Sequence, residues 1–177
     1  MENNSLKCYV TTITICIMIA TITFVLSEMA SYLWHRYFAH RSIFHSLFPA
    51  QGFLTSHKLH HESSLNHHAD EDFVWIILIL TIGILGIGVL FSIGLLPRIN
   101  PIYIVVIFAT VIVVFLLNWY VHKAIHTEGH WLQKFKIVRD LRDIHFVHHK
   151  NPRENYAILN FSDVIFGTTG CGFKKTE

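Results

Sequence analysis

The sequence predicts an all-α integral membrane protein, with three transmembrane helices and a helical cap on one membrane face. Three observations lead there: long runs without charge, an uneven distribution of basic residues about those runs, and fourteen histidines on one side of them. Of 177 residues, 52% are hydrophobic and 15% charged, against about 25% charged in an ordinary soluble domain. The low charge and 14% aromatic content exclude intrinsic disorder. A net charge of +2 gives no nucleic-acid signature, so no nucleic-acid partner is expected. The length suits one membrane domain with a modest cap.

The first span begins in the uncharged run Cys8–Ser27 and continues to about residue 34, with Glu28 its single charge. A signal peptide is a poorer reading, because the apolar run is long and no small-x-small cleavage site follows it. The second span covers Phe73–Leu96 and the third Ile102–Val121, both without charge. At about 1.5 Å per residue each reaches the roughly 30 Å of a bilayer core. Pro97-Arg98-Ile99-Asn100-Pro101 is a tight turn joining spans two and three, since proline cannot continue a helix. Three crossings leave residues 1–7 and the Arg98 turn on one face. Residues 35–72 and 122–177 form the cap on the other.

Of fourteen Lys and Arg, only Lys7 and Arg98 lie on the first face, and every histidine lies on the second. Basic residues accumulate on the cytoplasmic side, so a cytoplasmic cap is expected on a multi-pass protein. Trp75, Trp119 and Tyr120 sit at span ends as interface aromatics do, and Phe38, Phe44, Phe48 and Phe53 punctuate an amphipathic segment resting on lipid. Gly83, Gly86, Gly88 and Gly94 read as sites of close helix packing, and Asn118 as a polar link between spans. Cys8, Cys16 and Cys171 contain no C-x-x-C pair, which points to neither a disulfide framework nor a cysteine zinc site.

Ten histidines form four clusters: His35 and His40; His57, His60 and His61; His122 and His126; His145, His148 and His149. Positions i, i+3 and i+4 share a helix face, so each H-x2-H-H run is expected to present three imidazoles in one direction. His35 and His40, five apart, stand about 140° apart on a regular helix; reaching one centre requires the helix to end or bulge there. Ten imidazoles exceed the four ligands of a structural zinc, which suggests two metals, and imidazole suits iron, zinc or copper. His45, His67, His68 and His130 fall outside the clusters and read as ordinary interfacial side chains. Asp140 and Asp143 lie among Arg139 and Arg142 as a solvated charged face.

These clusters resemble those of the fatty acid hydroxylase/sterol desaturase superfamily over residues 28 to about 169. Trp34-His35-Arg36 with His40 resembles its first box, His57, His60 and His61 the second, and His122 with His126 the third. His145, His148 and His149, followed by Asn155-Tyr156 and Asp163-Val164-Ile165-Phe166-Gly167-Thr168, resemble the last box and the elements after it. Ala157 stands where the family usually has glycine and Ser162 where it has tryptophan. Relatives of known structure carry four spans, one more than counted here.

The resemblance implies a histidine-rich dimetal site of two iron ions, which zinc could replace in a purified sample. It also implies molecular oxygen, electrons from a separate donor protein, and attack on an unactivated C–H bond of a lipid. Hydroxylation is the first reading. A lipid or sterol desaturase or a carotenoid hydroxylase would use the same centre, and the Asp163–Thr168 element argues against the last. A bis-histidine haem protein needs fewer histidines, and a metal transporter would carry ligands near the midplane. Glu28, two turns before His35, reads either as a carboxylate bonded to a ligand's far ring nitrogen or as an interfacial carboxylate near the bilayer edge, and Asp163 is expected to support a ligand from behind or to hold the local structure. The membrane would be a bacterial inner membrane or the endoplasmic reticulum.

Overall fold

The computed structural model describes residues 2–40, 57, 60–61, 81, 83–89, 91–94 and 100–170. Among these the fold is all-helical. Helix α1 (Glu2–Leu33) runs into a π-helical turn (Trp34–Ala39), and α2 (Pro101–His126) is followed by a 3-10 turn (Trp131–Lys134). Then come α3 (Lys136–Lys150) and the short α4 (Phe161–Phe166). Two stretches, Leu6–Tyr37 and Pro101–His126, are long and apolar enough to cross a membrane. The expected second span lies largely outside the described residues, although residues 83–89 and 91–92 within it are helical. Phe44, His45, Phe48, Phe53, His67, His68, Trp75, the turn at 97–99 and Cys171 are outside them, as is the side chain of Phe38.

The two long helices are rich in β-branched residues, and their hydroxyls are disposed of locally. Thr11, Thr14 and Thr21 of α1 and Thr110 of α2 each donate to the carbonyl four residues back, at 2.7–2.9 Å. No hydroxyl of these four is left to face hydrocarbon unbonded. Helix α2 starts where Asn100 Oδ1 accepts from Ile102 N at 3.1 Å with Pro101 in the first turn, a cap that satisfies one orphan donor. It ends where Thr127 turns extended, donating from N and Oγ1 to Lys123 O.

Helices α1 and α2 pack side by side and bring their C-terminal ends together. Their outer faces are aliphatic; α1 buries Glu28 and Tyr32, and α2 buries Val114, Val121, Ala124, Ile125 and His126. Asn118 Nδ2 donates to Glu28 Oε1 at 2.5 Å and to Val114 O at 3.1 Å, so the polar link expected of Asn118 joins α2 to α1. At the cap, Gln133 Nε2 donates to Ala124 O (2.6 Å) and Thr127 O (2.8 Å). Arg139 bonds the carbonyls of Gln133 and Lys134. These bonds fix the angle at which α3 leaves the end of α2.

Removing one partner of a buried pair leaves the other unsatisfied, which costs about 1–3 kcal/mol. Asn118→Leu is therefore expected to lower the melting temperature in detergent, and Glu28→Leu/Asn118→Leu to recover most of the loss. An Asn118→Leu variant that melts at the wild-type temperature would show that the Glu28–Asn118 bond contributes nothing.

Candidate metal centre

The turn Trp34–Ala39 departs from the α-helix at the place where the spacing of His35 and His40 demands it. His40 N donates to His35 O at 3.3 Å, an i to i+5 bond that defines a π turn. The two rings stack at 4.9 Å between centroids, with Nε2 atoms 3.1 Å apart. The expected bulge is present.

Two groups of imidazoles form at the meeting of the helix ends. His35, His40, His57, His61 and His148 make one, and His60, His122, His126 and His145 the other; within each group the ligand atoms all lie within 4.8 Å of one another. His149 joins the second side, its Nε2 3.0 Å from that of His145. The groups abut through His61 and His149, whose rings stack at 4.5 Å.

Each H-x2-H-H run divides between the groups rather than presenting three rings in one direction. His57 and His61, at i and i+4, go to the first group and His60 to the second. In α3 the pair His145 and His149 goes to the second and His148 to the first. Helix geometry explains the correction: i+3 and i+4 lie about 100° apart around the axis, and i+4 returns to within about 40° of i. One helical turn thus serves two centres.

The ring nitrogens cannot satisfy one another. His40 Nε2 lies 3.0–3.2 Å from the Nε2 atoms of His35, His57 and His148. His145 Nε2 lies 2.9–3.1 Å from those of His122, His126 and His149. A ring nitrogen carries one proton at most, so one hydrogen bond could serve only one of three such contacts. His35 Nδ1 is bonded to Tyr156 O, and His148 Nδ1 to Glu154 O at 2.7 Å. Those carbonyls accept, which places the proton on Nδ1 and leaves Nε2 as a bare lone pair. Half-buried His61 has both ring nitrogens enclosed and, among the described residues, without a hydrogen-bond partner. Burial and neighbouring imidazoles push His40 down to about 4 and His57 to about 2, and hold His145 and His148 well below the usual range. These are neutral, ligand-competent rings, and a cation between them is the partner their lone pairs fit.

The chain after α3 holds the first group from behind. Asp163, fully buried, accepts from Tyr156 N (2.9 Å), Ala157 N (2.7 Å) and Thr168 Oγ1 (2.6 Å). It fixes the peptide whose carbonyl binds His35, so it acts on that ligand through the backbone. Burial pushes the Asp163 carboxyl up, against the pull of those three bonds and of the Arg36 charge. Thr168 spends its proton on Asp163 and so accepts from Tyr32 OH at 3.1 Å. Arg36 donates to Tyr32 OH at 2.5 Å and lies over the rings of Tyr32, Tyr37 and Tyr156 at 5.2–5.8 Å. Asn155 takes φ of 53° and ties the loop to the C-terminal segment through Thr168 O and Gly170 N.

Among the described residues, the hydrogen bond that Glu28 makes is to Asn118 and not to a histidine. Asn118 lies one turn before His122, so the carboxylate steadies the helix beneath that ligand. His130 caps the 3-10 turn, its Nδ1 accepting from Leu132 N at 3.2 Å, outside both groups. Asp140 pairs with Lys136 on the exposed side of α3. Sequence reasoning passed over Tyr32 and Arg36. The available signal was Tyr32's place one helical turn before His35 and Arg36.

Two outcomes follow. Asp163→Asn puts an amide where two oxygens accept three protons; it should lower bound metal affinity about 10–100-fold, read by titration, together with the melting temperature. The folded chain holds several imidazoles below 6.5, the value they regain on unfolding, so below that pH the unfolded chain binds more protons. The stability of metal-free protein is therefore complete above about pH 6.5 and falls progressively as pH drops toward the folded values, which thermal melts across pH 5–8 would show.

The family model described as fatty acid hydroxylase matches residues 20–168. No curated protein and no solved structure matches the chain significantly. The matched stretch begins inside α1, ends at Thr168, and takes in both imidazole groups together with the Asp163 support. The chain belongs to the fatty acid hydroxylase family.

Proposed function

We propose that this protein is a membrane di-iron oxygenase that hydroxylates a C–H bond of a lipid, using molecular oxygen and electrons from a separate donor protein. Family membership implies oxidoreductase chemistry of the lipid hydroxylase or desaturase kind. The observation that carries the finer reading is the pair of adjoining imidazole groups at the ends of two apolar helices.

The donors are all imidazoles, a set that suits iron, zinc or copper, and membership of the fatty acid hydroxylase family favours iron among them. His35, His40, His57, His61 and His148 would hold one iron. His60, His122, His126, His145 and His149 would hold the other. The iron pair, when bound, supplies oxygen activation. The chain supplies the rest: buried rings that exclude water, backbone carbonyls of Tyr156 and Glu154 that fix ring orientation, and Asp163 behind them.

A lipid substrate is supported by where the centre sits. The apolar helices end at it, and an open apolar groove of about 500 Å³ lies between them, lined by Ile19, Leu26, Ala30, Ile107 and Val111 among others. The three-span topology has support too. α1 and α2 deliver the same ends to one cluster, which is what a return of the intervening chain across the bilayer would produce, and the helical residues 83–89 and 91–92 belong to that intervening stretch. Twelve of fourteen basic residues on the histidine side favour a cytoplasmic centre.

The test is metal content by plasma mass spectrometry, followed by turnover of lipid extracts with a reductase and oxygen. About two iron per chain, reduced in His148→Ala, and a product carrying one added oxygen atom are expected. A product lacking two hydrogens would replace hydroxylation with desaturation at the same centre. A Soret band, or no transition metal in folded protein, would overturn the reading.

A further inference from the structure

Helix α4 is built inside out. Its two polar side chains, Ser162 and Asp163, are fully buried, and its exposed face is apolar: Phe161, Val164, Ile165 and Phe166, with Val164 66% and Ile165 52% exposed. A helix in water hides its aliphatic side chains and turns its carboxylate outward. The reverse arrangement suits hydrocarbon, where polar groups have to be satisfied within the protein and apolar ones cost nothing outside it. Helix α1 shows the same inversion, with Glu28 and Tyr32 buried and Ile13, Ile17 and Ile22 exposed.

The short helix packs directly on α1. Phe166 stacks on Tyr32 at 4.7 Å with planes 10° apart, and Tyr32 lies within the apolar stretch Leu6–Tyr37. On the side of α2, Trp131, Phe135 and Ile137 are exposed beside Lys134 and Lys136, and Trp131 Nε1 donates to Tyr120 OH of α2 at 3.0 Å. Aromatic side chains with neighbouring lysines are what a segment lying in the headgroup region carries.

We infer that α4 is immersed in the bilayer leaflet into which α1 ends, its Val164–Ile165 face covered by acyl chains, with the 131–137 segment resting on the same leaflet. The cap is then sunk to its waist in lipid rather than standing clear in water, and the first imidazole group lies at headgroup depth. This inference rests on the membrane reading above and adds a depth to it.

The experiment labels full-length protein with a nitroxide in a background of Cys8→Ser, Cys16→Ser and Cys171→Ser, in phosphatidylcholine vesicles at low protein-to-lipid ratio. Labels are placed by Val164→Cys, by Ile22→Cys in α1, and by Arg153→Cys on the exposed loop. Power saturation is read with oxygen, which partitions into lipid, and with a water-soluble nickel chelate. The oxygen-to-nickel ratio at Val164 is expected to match that at Ile22 and to exceed that at Arg153 several-fold. Nickel access at Val164 with lipid access at Ile22 overturns the immersion of α4 and leaves the membrane reading standing. Nickel access at Ile22 overturns the membrane reading itself. A Val164 label shielded from both reagents, or exposed only on further dilution in lipid, marks a protein contact or a second copy and also overturns the proposal.

Discussion

The lone pairs of buried imidazoles set the terms for the whole molecule. His40 and His145 each face three other ring nitrogens at hydrogen-bonding distance, and a single proton per nitrogen cannot reconcile them. Holding so many neutral rings together out of water requires rigid supports on every side, because each ring left to itself would turn toward solvent. The π turn, the Gln133 and Arg139 bonds at the base of α3, and the carbonyls of Glu154 and Tyr156 are those supports. The buried interior is accordingly as polar as it is apolar, an inversion that only an apolar exterior makes tolerable.

The supports divide by origin. The two long helices bring imidazoles up from one side, tied to each other by Asn118 and Glu28. The chain after α3 closes over the first group from the opposite direction. Asp163 is the hinge of that closure: its two oxygens collect three donors from residues 156, 157 and 168, and through Thr168 and Tyr32 the same carboxylate reaches the last turn of α1. Arg36 adds a charge held among three tyrosine rings, where cation–π attraction steadies it.

Much of this was legible in the residues. Uncharged runs announced the spans at α1 and α2, and the five-residue spacing of His35 and His40 announced a break in α-helical pitch. Among the described residues, the ten clustered histidines lie together at the helix ends, and His130 lies apart. What stayed hidden was three-dimensional: spacing along one helix says which rings share a side, but two centres set side by side take i+4 with i and i+3 separately. That depends on what stands opposite, namely His122 and His126 on one flank and His35 and His40 on the other. The partner of Glu28 was equally invisible, because it depends on how deep Asn118 sits on the neighbouring helix. The left-handed turn at Asn155 leaves no pattern in the sequence.

The division of each H-x2-H-H run couples the two imidazole groups mechanically. His60 and His61 are adjacent in the chain, and so are His148 and His149, yet the members of each pair belong to different groups. A shift of one ring therefore moves a helical turn that also carries a ring of the other group. Were each group to hold a cation, filling one side would steady rings that the other side needs, and the two sides would fill and empty together.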